Sequence, residues 1–168
     1  MSSVRLMVLM SLVFNLVMIL ASAPAQELPV EKVLPLSLAT EAVQAALTAC
    51  EKEGYHVSVA VTDRTGLLRA LIRGDQGGAH TLDSSSRKAY TSASLGRSTG
   101  ELAKMLSTNP TAEGLRQMND KILILAGGLP IKVGELVIGG IGVGGAPGGD
   151  KDEVCAQAGI DKIKNQLK

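Results

Sequence analysis

The sequence predicts an α/β (α+β) domain built as a five-stranded antiparallel sheet flanked by helices. Three observations lead there. Stretches of period two and stretches of helical period alternate along the chain. The strand-like stretches come in groups joined by turns too short for a parallel crossover, which needs a dozen or more residues. Residues 26–168 also fall within the usual size of one domain, so sheet and helices share a single core.

An apolar run over residues 6–20, broken only by Ser11 and Asn15 and preceded by Arg5, has the length and flank of a secretory signal peptide. It is shorter than the about 20 apolar residues that cross a membrane. It gives way at once to Ala21-Ser22-Ala23-Pro24-Ala25, a small-residue pattern suited to cleavage. Residues 1–25 are therefore expected to be a cleaved signal peptide. Residues 26–168 are then one exported domain, periplasmic or secreted, with no membrane span after cleavage.

Residues 24–35 read as an extended, proline-containing lead-in. Leu38, Ala42, Val43, Ala46, Leu47 and Cys50 then recur at helical spacing, with Ser37 placed as N-cap and Gly54 as the stop. Val57, Val59 and Val61 alternate with Ser58, Ala60 and Thr62, which is a strand, and Asp63-Arg64-Thr65-Gly66 turns it. Residues 67–73 form its hairpin partner, ended by Gly74-Asp75-Gln76-Gly77-Gly78. A helix with the face Leu82, Ser85, Ser86, Ala89, Ala93 and Leu95 follows, with Asp83 early and Arg87 and Lys88 later, as suits the helix dipole.

Ser98 and Glu101 form a capping-box pattern for a helix over residues 99–106, which Asn109-Pro110 ends. Residues 111–121 are assigned no element. Residues 122–126, 131–133 and 135–144 read as three strands, the last two tightly connected at Gly134, and these bring the sheet to five. A final helix over residues 151–167 is expected, with Asp150 as N-cap, Glu153 at the capping-box position, and Val154, Ala158 and Ile163 facing inward.

Composition narrows the functional classes. Arg5 is the one charge in the first 25 residues, so the remainder carries basic and acidic side chains in equal number. A formally neutral domain offers no attraction to nucleic acid or to an anionic membrane. Trp is absent and the single Phe is Phe14, so Tyr55 and Tyr90 are the aromatics beyond residue 25 and the core must be Val, Ile, Leu and Ala. Cys50 and Cys155 are the two cysteines of a chain bound for an oxidising compartment. The count alone allows a disulfide or two buried thiols.

Gly140-Ile141-Gly142-Val143-Gly144-Gly145 matches the form G-x-G-x-x-G. The helix after it is the last element, however, so neither the second parallel strand nor the acidic residue of a dinucleotide site follows. What survives is a general property: free N–H groups near Gly148 and Gly149 can hold an anion. No Cys/His spacing suits zinc, and no nucleophile stands beside a base, so binding is expected ahead of conventional catalysis. His80 follows a glycine-rich loop and immediately precedes a helix, from where a side chain can reach a cleft. His56 reads as a strand-end residue.

Four stretches together resemble the GlcG/HbpS-like family, also called the haem-degrading domain family. They are Gly54-Tyr55-His56-Val57-Ser58-Val59-Ala60-Val61-Thr62-Asp63; Arg73-Gly74-Asp75 leading to His80-Thr81-Leu82-Asp83; Arg87-Lys88-Ala89-Tyr90-Thr91; and Gly127-Gly128-Leu129-Pro130-Ile131 running to Ile138-Gly139-Gly140-Ile141-Gly142-Val143-Gly144-Gly145-Ala146-Pro147. They span nearly the whole of residues 26–168 and stand in the family's order. The resemblance implies a profilin-like sandwich that assembles into homo-oligomers, often octamers. It also implies haem or iron handling, since some exported members bind haem.

Beside that resemblance, the place of His80 makes it a candidate axial ligand for haem iron, the alternative being an ordinary surface histidine, and the chemistry of Arg73, Arg87 and Lys88 makes them candidate partners for the haem propionates. Arg87 and Lys88 diverge by roughly a hundred degrees on a helix, so one of them at most faces a given ligand. Gly144-Gly145 departs from the family's frequent Ser-Gly and removes a hydroxyl. In profilin-like folds the first and last helices can be neighbours, which implies a Cys50–Cys155 disulfide. The expected function is an exported haem-binding protein contributing to haem storage, transport or degradation. The alternative is an oligomeric accessory protein that binds a small organic acid or a partner protein without catalysis, and the scarcity of aromatic residues favours it.

Overall fold

The structure is a computed structural model, and it describes residues 26–168. The expected signal peptide therefore lies outside the described residues. Residues 26–31 belong to a unit of their own and carry no regular secondary structure, while the domain proper is Lys32–Lys168. No helix among the described residues is long and apolar enough to cross a membrane.

The domain begins with α1 (Leu36–Lys52), which follows Pro35 directly; Pro35 takes the N-cap place given above to Ser37 and makes no side-chain cap bond. The hairpin β1 (Ser58–Asp63) and β2 (Leu68–Arg73) comes next. Asp63 holds its turn through Oδ1, which accepts from the Thr65 and Leu67 N–H groups at 2.9 and 3.1 Å. Helix α2 (His80–Leu95) is followed by α3 (Thr99–Thr108), where Ser98 caps as expected, its hydroxyl accepting from Glu101 N at 3.0 Å. A 3-10 helix spans Pro110–Gln117, starting at the proline that ends α3 and running into the stretch that sequence assigns to no element. Strands β3 (Gly128–Val133) and β4 (Leu136–Gly144) and helix α4 (Gly149–Ile163) complete the domain.

The sheet is antiparallel throughout in the order β2-β1-β4-β3, so it has four strands and not five. The expected strand over residues 122–126 does not form, although its alternation is genuine: Ile122 and Ile124 are buried with Leu102 and Leu106 of α3. Its backbone bonds go to side chains instead of a neighbouring strand. Arg87 Nη2 donates to the Ile122 carbonyl at 2.8 Å, Arg116 Nη1 donates to the Ile124 carbonyl at 3.0 Å, and Leu123 N donates to Thr91 Oγ1 at 2.8 Å. Guanidinium and hydroxyl groups thus meet the requirement that buried peptide groups be paired. Period two cannot tell that solution from a ladder.

Layering follows from the alternation of strand side chains. Val59, Val61, Ile141 and Val143 point to one face, where they pack with Ala39, Ala42, Val43, Ala46 and Leu47 of α1 and Ala156 and Ile163 of α4. The opposite face of β4 shows Gly140 and Gly142, and α2 lies directly on them. A Cβ at Gly142 would run into the Ser85 carbonyl, and one at Gly140 into the Ala89 carbonyl. The small face of α2 read from sequence therefore finds a surface without side chains, which lets helix and strand backbones approach closely.

Helix α4 corrects two expectations. Its N-cap is Gly148 and not Asp150, and Val154, expected to face inward, is 71% exposed. The buried stripe is Asp152, Cys155, Ala156, Gly159 and Ile163, one residue out of phase with the expected one over most of its length. That phase brings Cys155 against α1, where it forms a disulfide with Cys50 at a Cα–Cα distance of 5.5 Å.

Candidate functional site

His80 and Arg73 stand at the two ends of the glycine-rich loop between β2 and α2. The loop is brought back to the sheet by Gly74 N donating to the Val57 carbonyl at 2.9 Å, and it joins α2 through Thr81 N donating to the Gly78 carbonyl at 3.0 Å. Thr81 Oγ1 is 2.7 Å from Ser58 Oγ, and Ser58 is paired with Arg73 across the β1–β2 ladder. The start of α2 is therefore tied to the Arg73 end of β2. Both side chains lie on glycines: a Cβ on Gly77 would fall 2.8 Å from Arg73 Cγ, and one on Gly78 would fall 2.7 Å from His80 Cε1. Larger residues in the loop would displace both groups.

His80 is the first residue of α2 and is exposed, whereas sequence placed it in the loop before the helix. Arg73 is the last residue of β2 and is exposed too. Neither makes a side-chain hydrogen bond or ion pair among the described residues, so an imidazole and a guanidinium remain available at one end of the sheet. His56 lies just before β1 and lines a separate hollow of about 180 Å³ with Glu51, Tyr55, Gly74, Asp75 and Gln76.

The two other expected site residues serve the interior. Lys88 is buried in α2, and its ammonium donates to Asp152 Oδ2 at 2.7 Å and to the Val143 carbonyl at 2.9 Å. It binds α2 to α4 and β4 and has no exposure from which to meet a propionate. Burial pushes the Asp152 carboxyl above its usual range, and the Lys88 ammonium pulls it back without cancelling that effect. Arg87, besides holding Ile122, stands 3.4 Å from Asp83 one helical turn back. Near Gly148 and Gly149, where the sequence suggests free N–H groups for an anion, the chain's own acids stand close by: Asp150 lies against Gly148, and Asp152 Oδ1 accepts from Ala146 N at 3.0 Å.

Two features went unread in the sequence. The first is a mostly apolar groove of about 1260 Å³ between α1 and α4, lined by Ala45, Thr48, Ala49, Val154 and Ala158 among others. The second is the face of β2 turned toward the α2 side of the sheet. Leu71 and Arg73 pair with Ala60 and Ser58, which face α2, and a register irregularity between Val61 and Thr62 puts Leu68 opposite Thr62 on the same face. Helix α2 covers β1, β4 and β3 and barely reaches β2. Leu68 and Leu71 are accordingly 51% and 39% exposed. The spacing Arg69, Leu71, Arg73 was the available signal.

Comparison with known proteins places this geometry in context. Residues 34–161 match the family model described as haem degrading protein HbpS-like. The crystal structure of a double mutant of Streptomyces reticuli HbpS is 43% identical, with a TM-score of 0.75 over 84% of this chain and 97% of that one. Klebsiella pneumoniae ORFY is 26% identical, with a TM-score of 0.78 over 84% of this chain and 98% of that one. PduOC, solved as a complex with haem, is 22% identical and has a TM-score of 0.73 over 79% of this chain and 96% of that one, a likeness of fold alone.

Proposed function

The chain belongs to the HbpS-like haem-degrading protein family, and from that premise we propose that it binds haem at the open end of β2, with His80 as axial ligand of the iron and Arg73 at a propionate. The observation that carries this reading is the pairing of two unengaged side chains, one imidazole and one guanidinium, over a two-glycine platform. The donor set fits the group. Neutral imidazole ligates haem iron, and guanidinium forms charge-assisted bonds with carboxylates. Lys88 and Arg87, engaged by Asp152 and Ile122, have no part in it.

What haem supplies when bound is its iron's redox chemistry. The protein's part is to hold and orient the ring. His80 would hold the iron at the helix end, and Gly77 and Gly78 would let a flat ligand come close to the backbone. Titration of the purified protein with haemin is expected to give a saturable Soret shift. In His80→Ala that band moves and affinity falls about tenfold or more, while His56→Ala behaves as wild type. An unchanged spectrum and affinity in His80→Ala would refute the ligand assignment.

Two further parts belong to the same proposal. The chain is exported, as the signal peptide expected at residues 1–25 and the Cys50–Cys155 bond support, since such bonds persist in oxidising compartments. It also assembles with copies of itself, a reading supported by the uncovered groove between α1 and α4 with Val154 standing free beside it. Light scattering at micromolar concentration that returned a monomer mass would remove this last part.

A further inference from the structure

The outer face of β2 holds more of what a porphyrin needs than His80 and Arg73 provide, and the inference drawn from it rests on the haem reading above. We infer that Leu68 and Leu71 underlie the apolar edge of the porphyrin, and that Arg69 joins Arg73 in receiving its two propionates.

Four residues of one strand face one way. Leu71 and Arg73 lie on the α2 side of the sheet by their pairing with Ala60 and Ser58, and Leu68 joins them opposite Thr62. Arg69 is the residue left over by the register irregularity, and alternation from Ala70, which packs toward the α1 side, turns it to the same face. Arg69 and Arg73 thus bracket Leu71, with Cα atoms about 13 Å apart, within the converging reach of two long side chains. This is the sheet face that α2 leaves bare, and α2 begins at its Arg73 end with His80.

The chemistry of the face is that of an amphiphile with negative ends. Exposed leucines on a strand would otherwise be a liability, and here they are flanked by cations. Arg69 Nε is shielded from solvent and has no hydrogen-bond partner among the described residues, a donor waiting for an acceptor. Arg73 is likewise unengaged. Asp63 is the acid that feels Arg69, and it spends its carboxylate on Thr65 and Leu67 of its own turn. A flat dicarboxylate satisfies both guanidinium groups while covering both leucines.

Iron-free protoporphyrin IX tests this without any contribution from axial ligation. Its fluorescence titration into wild-type protein is expected to saturate, and Arg69→Gln and Leu71→Asp are each expected to weaken it about tenfold. Arg69→Lys should recover part of the loss, and protoporphyrin dimethyl ester, which lacks the carboxylates, should bind wild type and Arg69→Gln alike. Thermal melts confirm that the variants fold, as is expected of changes at a partly exposed edge. If Arg69→Gln and Leu71→Asp bind protoporphyrin as wild type does while His80→Ala still alters the haemin spectrum, this inference fails and the haem reading stands. If neither haemin nor protoporphyrin binds saturably, both fail together.

Discussion

Replacing Lys88 by methionine is expected to destabilise the domain by about 3–5 kcal/mol, because it strands a carboxylate inside the fold. Lys88 and Asp152 have side-chain exposures of 2% and 4%, and their 2.7 Å bond joins α2 to α4 beneath the end of β4. Removal of the ammonium leaves Asp152 with the Ala146 N–H as its remaining partner. Its carboxyl, already pushed up by burial, then rises further. A raised carboxyl contributes most below its unfolded value and loses that contribution as pH rises through its folded value. The deficit in Lys88→Met should therefore be largest at neutral pH and narrow on acidification. Adding Asp152→Asn, which removes the charge and keeps an acceptor for Ala146, should restore much of the loss. Urea unfolding at pH 7 and pH 5 measures both effects, and a Lys88→Met loss below 1 kcal/mol at pH 7 would show that the pair contributes little.

The second large effect is expected from the disulfide. Cys50 and Cys155 are 105 residues apart, and closing so long a loop restricts the unfolded chain by about 4–5 kcal/mol in the chain-entropy account. Both residues are buried between α1 and α4, so the native state already holds them together without the bond. In a domain of this size each kcal/mol moves the midpoint by about 3–5 °C, so the Cys50→Ala, Cys155→Ala double variant should melt on the order of 15 °C lower. Calorimetry of the oxidised protein, the reduced protein and the double variant separates loop closure from side-chain loss. Equal midpoints in the oxidised and reduced samples would contradict the account.

How much of this was legible before the structure depends on what each signal measures. Periodicity reports which residues are buried, so α1, the β1–β2 hairpin and the helix capped by Ser98 were read correctly. It does not report who satisfies the backbone, so residues 122–126 were counted as a strand although Arg87, Arg116 and Thr91 hold them. Phase errors have a similar root. Val154 looks like a core residue because it is apolar, but the stripe that meets α1 and the sheet runs through Cys155, Ala156 and Gly159 to Ile163, and its first three members are small enough for helices to pack closely. At the candidate site, the glycines between Arg73 and His80 are the signal the sequence offers, and both side chains lie against Gly77 and Gly78. Lys88 was misplaced because a lysine on an amphipathic helix normally marks the solvated face, and its partner Asp152 lies 64 positions further along the chain.

The same distant pairing that locks α1 to α4 also sets an order of events. For a chain exported N-terminus first, as proposed above, Cys50 reaches the new compartment long before Cys155 does. With two cysteines in all, no wrong intramolecular bridge can form in the interval; Cys50 can only wait or be taken by another molecule. Closure thus comes after β4 has been delivered and α4 has reached α1, which makes the oxidised bond a record that the last helix has docked. Premature release of a nascent chain would leave its mark as mixed disulfides at position 50.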